Sequence, residues 1–163
     1  MPSTSLTVPS DAQLCAELER KLAHDIPLAR AMQLAVTRFD GNTLVMAAPL
    51  APNINDKGCA FGGSLASLLT LAGWGLVVLK LKRVGIACDI YVQDSTIQYL
   101  APVWSDFSVT AALAKNENWE AFLTSLQTRG RGRLSLACRV PLADGLDAAT
   151  FTARFVAKAR SAG

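Results

Sequence analysis

The segment from Asn53 to Leu79, NINDKGCAFGGSLASLLTLAGWGLVVL, holds the residues of this chain best suited to chemistry. A polar doorstep of Asn53, Asn55 and the Asp56-Lys57 pair leads into a run from Gly58 to Leu79 that has no charge and five glycines. The run reads as a helix, and Phe61-Gly62-Gly63 stands where it begins. Amides at a helix N-terminus have no intrahelical acceptor, so they can donate to an oxygen on which negative charge develops, as in attack on a thioester carbonyl. Gly62 and Gly63 would let a substrate approach that main chain; equally, they would let the helix pack tightly on a sheet. Asn55 suits the orienting of a water or a carbonyl, or an Asx turn, and Asn53 reads as a turn residue.

Other reactive side chains have a weaker claim. Cys59 lies near the same helix start, where a thiolate is stabilised, but has no histidine beside it in sequence. Thr70 is a neutral hydroxyl on an apolar face, the usual setting of a helix-backbone bonder. Asp94 interrupts a β-favourable run, so it faces water, marks a bend or points into a cleft. His24, the only histidine, sits in a surface-looking helical segment and reads as solvated or capping. Arg129, Arg131 and Arg133 alternate with glycines; in an extended chain all three project to one side, towards phosphates or simply towards solvent.

The elements that position these residues follow from periodicity. Asp11 can cap a first helix in which Leu14, Leu18 and Leu22 recur at helical spacing before Pro27. MQLAVTRFDGNTLVMAAPL alternates on both sides of Asp40-Gly41-Asn42, a hairpin signal. After the charge-free helix, CDIYVQDSTIQYLAPV and DFSVTAALA are strands, broken near Asp94 and stopped by Pro102. Trp119, Phe122, Leu123 and Leu126 share one face of a short helix, and RLSLACRVPL and TFTARFVAK return to period two. One helix that is apolar nearly all round needs a wrapper, and a curved antiparallel sheet supplies it: an α+β fold.

Composition bounds the rest. A length of 163 residues gives one core, hence a single domain over 1–163 with about ten flexible residues at the start. Hydrophobic residues make up 51% of the chain and charged ones 18%, which suggests apolar surface buried between subunits. A net charge of +3 argues against nucleic acid as the partner. Four scattered cysteines and one histidine form no metal-ligand pattern. MPSTSLTVPSD has no secretory h-region, which points to the cytoplasm. The charge-free run is long enough to span a membrane, but its glycines, Ser64, Ser67 and Thr70 dilute it, and a core helix is the better reading.

Asn55-x-x-Gly58-x-x-Phe61-Gly62-Gly63 before an apolar helix resembles the N-x-x-G-x-x-H-G-G signature of the hotdog-fold acyl-CoA thioesterases, the phenylacetyl-CoA type among them. With PLAPNIN, AFGGSL, AGWG and DSTIQYLAPV, the chain from about Ile26 onward is most similar to the thioesterase domain fused behind an acetyltransferase domain in some bacterial proteins. The resemblance implies a hotdog fold, with the sheet wrapped around a central helix from about Gly62 to Lys82. It implies a homodimer or larger assembly with the site between subunits, and hydrolysis of an acyl-CoA or acyl-carrier-protein thioester without a metal or organic cofactor. Phe61, Gly62, Ser64 and Thr70 then contact substrate, while Gly63 donates to the carbonyl. Asp94 of one subunit, with Asn55 of the other, would position and deprotonate water. Two departures stand out: Phe61 replaces the family histidine, and Thr70 replaces the helix carboxylate. A chain without that base can instead be a non-hydrolytic module that binds acyl thioesters for a partner such as an acetyltransferase. A hydratase of the same fold would want the histidine that Phe61 replaces.

Overall fold

The computed structural model describes residues 8–160. Helices α1 (Asp11–Asp25) and α2 (Pro27–Ala31) precede strands β1 (Ala35–Phe39) and β2 (Leu44–Ala48). The central helix α3 (Gly62–Arg83) is followed by β3 (Cys88–Tyr99), β4 (Phe107–Leu113), α4 (Trp119–Arg129), β5 (Arg131–Pro141) and β6 (Asp147–Ala159). The six strands form one antiparallel sheet in the order β1-β2-β4-β5-β6-β3.

The expected order of elements holds, and two local expectations are corrected. Ser10, not Asp11, caps α1: Ser10 Oγ accepts from the Gln13 amide at 3.2 Å while Gln13 Oε1 accepts from the Ser10 amide at 2.8 Å. A serine followed three residues later by glutamine closes both orphan amides, which a lone Asp at the first helical position cannot do. Nor does Asp94 break its strand. A bulge between Val92 and Asp94 absorbs one residue, and β3 runs on to Tyr99. The expectation of a flexible start falls mostly on residues 1–7, outside the described residues.

The helix α3 is buried because it is apolar on almost every side. Leu68, Leu69, Ala72, Leu76 and Val77 are fully buried, and α3 packs on β2, β3, β4 and β5. Among the described residues it is the one helix long and apolar enough to cross a membrane, yet it forms the core of this sheet. Two glycines set its distance from the sheet. A Cβ on Gly73 would stand 2.9 Å from the Phe155 ring, and one on Gly75 would stand 2.9 Å from Leu44 and Met46. Side chains there would force the helix off the sheet, so these glycines serve packing. From α4, Phe122 and Leu126 are buried and Trp119 and Leu123 lean on the same core, as their spacing predicts.

The C-terminal end of α3 is tied down. Lys82 pairs with Glu17 and Arg83 with Asp11, both on α1. Lys80 Nζ donates to the Gly41 carbonyl at 2.5 Å and lies 5.0 Å from the centre of the Trp119 ring. Burial pushes the Lys80 pKa down.

Candidate active site at the start of the central helix

The polar doorstep is an answer to main-chain hydrogen bonding. The chain must reverse between Asn53 and Phe61 to deliver α3 into the core, and each buried amide on the way needs an acceptor. Gly58, at φ +86°, makes the reversal. Asn55 holds it: its amide donates to the Cys59 carbonyl at 2.8 Å, and its Oδ1 accepts from the Lys57 amide at 2.8 Å. Its Nδ2 donates to Cys59 Sγ at 3.2 Å. Asn55 is thus an Asx-turn residue whose carboxamide is engaged inside its own loop. Cys59 is buried beneath it.

Asn53 turns out to be more than a turn residue. It is only 2% exposed, the one buried polar side chain among the described residues. Nδ2 donates to the Met32 carbonyl at 3.0 Å and the Pro49 carbonyl at 2.8 Å, and the Asn53 carbonyl accepts from the Phe61 amide at 2.7 Å. It therefore joins the end of α2, the end of β2 and the doorway of α3. Nothing in its sequence context marks it off from Asn55, because the contacts to Met32 and Pro49 exist only after folding.

At the doorway no side chain caps α3. The first intrahelical bond, from the Leu65 amide to the Phe61 carbonyl at 3.1 Å, leaves the amides of Gly62, Gly63 and Ser64 ahead of it. Phe61 is 55% exposed, and its ring lies against Gly63: a Cβ there would come within 2.3 Å of it. Gly62 is less constrained, since a Cβ would meet the Tyr99 ring at 3.4 Å. Both glycines have ordinary helical backbone, so space rather than conformational freedom is what they supply.

Two neighbours escaped sequence reasoning. Tyr99 Oη donates to the Gly62 carbonyl at 3.2 Å, and Ser67 Oγ donates to the Gly63 carbonyl at 2.8 Å. The spacing of Ser67, four residues after Gly63, is a readable signal; Tyr99 comes from another element and has none. Ser64 is half-buried in the first turn. One turn further, Thr70 Oγ1 donates to the Ala66 carbonyl at 2.8 Å, the back-bonding arrangement of a helix hydroxyl.

Asp94 lies elsewhere. Its register partner is Arg154, which points away from α3 between the buried Ala153 and Phe155. Asp94 Oδ2 is 3.6 Å from Arg154 Nε, and its side chain is 56% exposed on the outer face of the sheet. Within one chain Asp94 thus faces solvent beside Arg154 and does not approach the start of its own α3. In a regular strand Asp94 would share the inner face with Val92; the bulge reverses the parity.

His24 is solvent-facing and hydrogen-bonds Asp25 at 2.7 Å, a contact that lowers the Asp25 pKa. The three arginines do not line up: Arg129 ends α4, Gly130 turns the chain at φ +67°, and only Arg131 and Arg133 share the outer face of β5.

A six-stranded antiparallel sheet curved around a buried central helix is the hotdog fold, and several solved structures share it. A protein of unknown function from Chlorobaculum tepidum is 29% identical, with TM-score 0.86 over 97% of this chain and 100% of that one. The "putative thioesterase" of Shewanella oneidensis is 33% identical, with TM-score 0.81 over 90% of this chain and 99% of that one. The E. coli PaaI protein of the phenylacetic acid degradation operon shares the fold at 16% identity, TM-score 0.64, over 94% and 98% of the two chains. Residues 15–159 match the family model described as "Putative thioesterase (yiiD_Cterm)", and the chain belongs to that family.

Proposed function

We propose that the chain is a cytoplasmic thioesterase that works as a homodimer, hydrolysing an acyl-CoA or acyl-carrier-protein thioester to a carboxylic acid and a thiol. The observation that carries this reading is the open start of α3, where the Gly62 and Gly63 amides face no capping side chain. A thioester carbonyl against them gains donors where the tetrahedral oxyanion forms. Phe61 and Ser64 flank that position, while Asn55 keeps the preceding loop in shape through Cys59 and Lys57.

Dimerisation is supported by the sheet edge. β3 pairs only with β6, and its twelve residues leave Tyr91, Val92 and Tyr99 exposed along a free edge. So long an edge invites pairing with a second copy.

The second reading, a non-hydrolytic module that binds acyl thioesters for a partner enzyme, is favoured by one feature. The position of the family carboxylate holds Thr70, already bonded to its own helix, and Asp94 faces outward. A panel of acyl-CoAs and acyl-carrier proteins with a thiol-trapping reagent separates the two. Thiol release in proportion to enzyme supports hydrolysis; saturable binding with no release supports the module. Light scattering at micromolar protein tests the dimer, and a fully active monomer would remove it.

A further inference from the structure

Asn53 is placed to decide where the start of α3 points. Its amide closes a single 3-10 turn, Ala51–Asn53, by donating to the Leu50 carbonyl at 2.8 Å. The near end of that turn is fixed separately, because the Leu50 amide donates to Asp106 Oδ1 at 2.8 Å, just ahead of β4. At its far end the Asn53 carbonyl takes the amide of Phe61, the last residue before the helix, while the Ala60 amide goes to the Val103 carbonyl at 2.8 Å. With those two amides engaged, the donors left at the doorway are Gly62, Gly63 and Ser64, and their direction follows from the backbone fixed just before them.

What holds the Asn53 carbonyl in place is its own side chain. Nδ2 commits both protons, one to the carbonyl of Met32 at the C-cap of α2 and one to that of Pro49 after β2. Oδ1 is buried too but has no donor among the described residues, so the whole grip runs through Nδ2. Asn55 differs: its side chain bonds only Lys57 and Cys59, inside its own loop. Of the two asparagines, Asn53 alone ties the doorway to the rest of the fold.

We propose that Asn53 is the positioning residue of the site: acting through the Phe61 amide, it holds the Gly62 and Gly63 donors where the oxyanion forms, so that losing its grip slows the chemical step without weakening substrate binding. The inference rests on the thioesterase reading above and adds to that site a residue that is only 2% exposed and touches no substrate.

The test is Asn53→Leu, which keeps the branched shape and removes both donors. A shift of about 1 Å in a reacting group costs roughly a hundredfold in rate. On the acyl-CoA that the wild type hydrolyses fastest, kcat should fall by about tenfold or more while KM stays within about threefold, the mark of an interaction made only in the transition state. Amide exchange reads the same grip without turnover. The Phe61 and Leu65 amides should exchange about tenfold or more faster in the variant, and those of Leu69 and Leu76, in the middle of α3, at close to the wild-type rate. If the wild type releases no thiol, the hydrolysis reading fails, and the proposal stands or falls on the exchange at Phe61 and Leu65. Should Asn53→Leu be misfolded by circular dichroism, Asn53→Ala, which leaves room for water at the two carbonyls, replaces it. A folded variant with wild-type kcat, or one whose exchange at Phe61 and Leu65 is unchanged or rises evenly along α3, makes Asn53 a residue of the fold alone and overturns the proposal.

Discussion

The two ends of α3 are built on opposite plans. The C-terminal end carries Lys80, Lys82 and Arg83, all bonded to other elements, and these cations also suit the negative end of the helix dipole. The N-terminal end has no charge in its first turn and no side-chain cap. A side-chain N-cap contributes about 1 kcal/mol, and α3 forgoes it. One end is anchored through three contacts and the other is bare, and on the proposed function the bare end is the one that meets the thioester.

The strongest way to break that contrast is Gly63→Val. Its side chain must displace the Phe61 ring, which is exposed and free to swing, so the fold should survive. Turnover should drop by about a hundredfold or more, the cost of losing an oxyanion donor. A well-folded variant with wild-type kinetics would make this end merely structural.

A glycine in the middle of the helix should behave in the reverse way. Gly73→Ala pushes a Cβ against the buried Phe155 ring and should lower stability by about 1–3 kcal/mol in urea denaturation. Its kcat per folded molecule should stay close to wild type.

At the anchored end, Arg83→Met removes the pair with Asp11 and the stacking of the guanidinium 4.9 Å from the Phe39 ring. Both contacts are partly exposed, so a loss of about 1 kcal/mol or less is expected, shrinking further in 1 M salt. Asp94→Asn sharpens the comparison from outside: with the carboxylate on the outer face, kcat should change by less than about threefold, whereas a general base would cost about a hundredfold or more.

The smallest effect concerns the β1–β2 turn that receives Lys80. Hydrogen bonds from the Asn42 and Thr43 amides and the Thr43 hydroxyl hold the Asp40 pKa at about 2, below its ordinary 3.8. A depressed carboxylate stabilises the fold above its unfolded pKa, and that contribution fades as pH falls from about 4 to about 2. Thermal melts of Asp40→Ala should therefore lie below wild type at pH 7 and converge with it near pH 2. A gap that is unchanged at low pH would assign the difference to the turn backbone instead.

Much of this was legible in the chain itself. The hairpin at Asp40-Gly41-Asn42, the α3 span from Gly62, the apolar face of α4 and the glycine pair are local patterns, and local geometry enforces them: periods of two and 3.6, turn residues, and the absence of charge. Asn55 stood out only through the family resemblance, whereas the helix start was likewise recognisable from its glycine pair. Which partners a residue meets was not. Tyr99 reaches Gly62 from another element, Asn53 bonds the Met32 carbonyl from far along the chain, and a cavity beyond Trp74 needs α3 and β3 side by side. Asp94 shows the reason most plainly. Side chains alternate along a strand, so one extra residue at the bulge after Val92 turns an inward carboxylate outward, and the pairing with β6 that creates the bulge is a property of the sheet rather than of the strand.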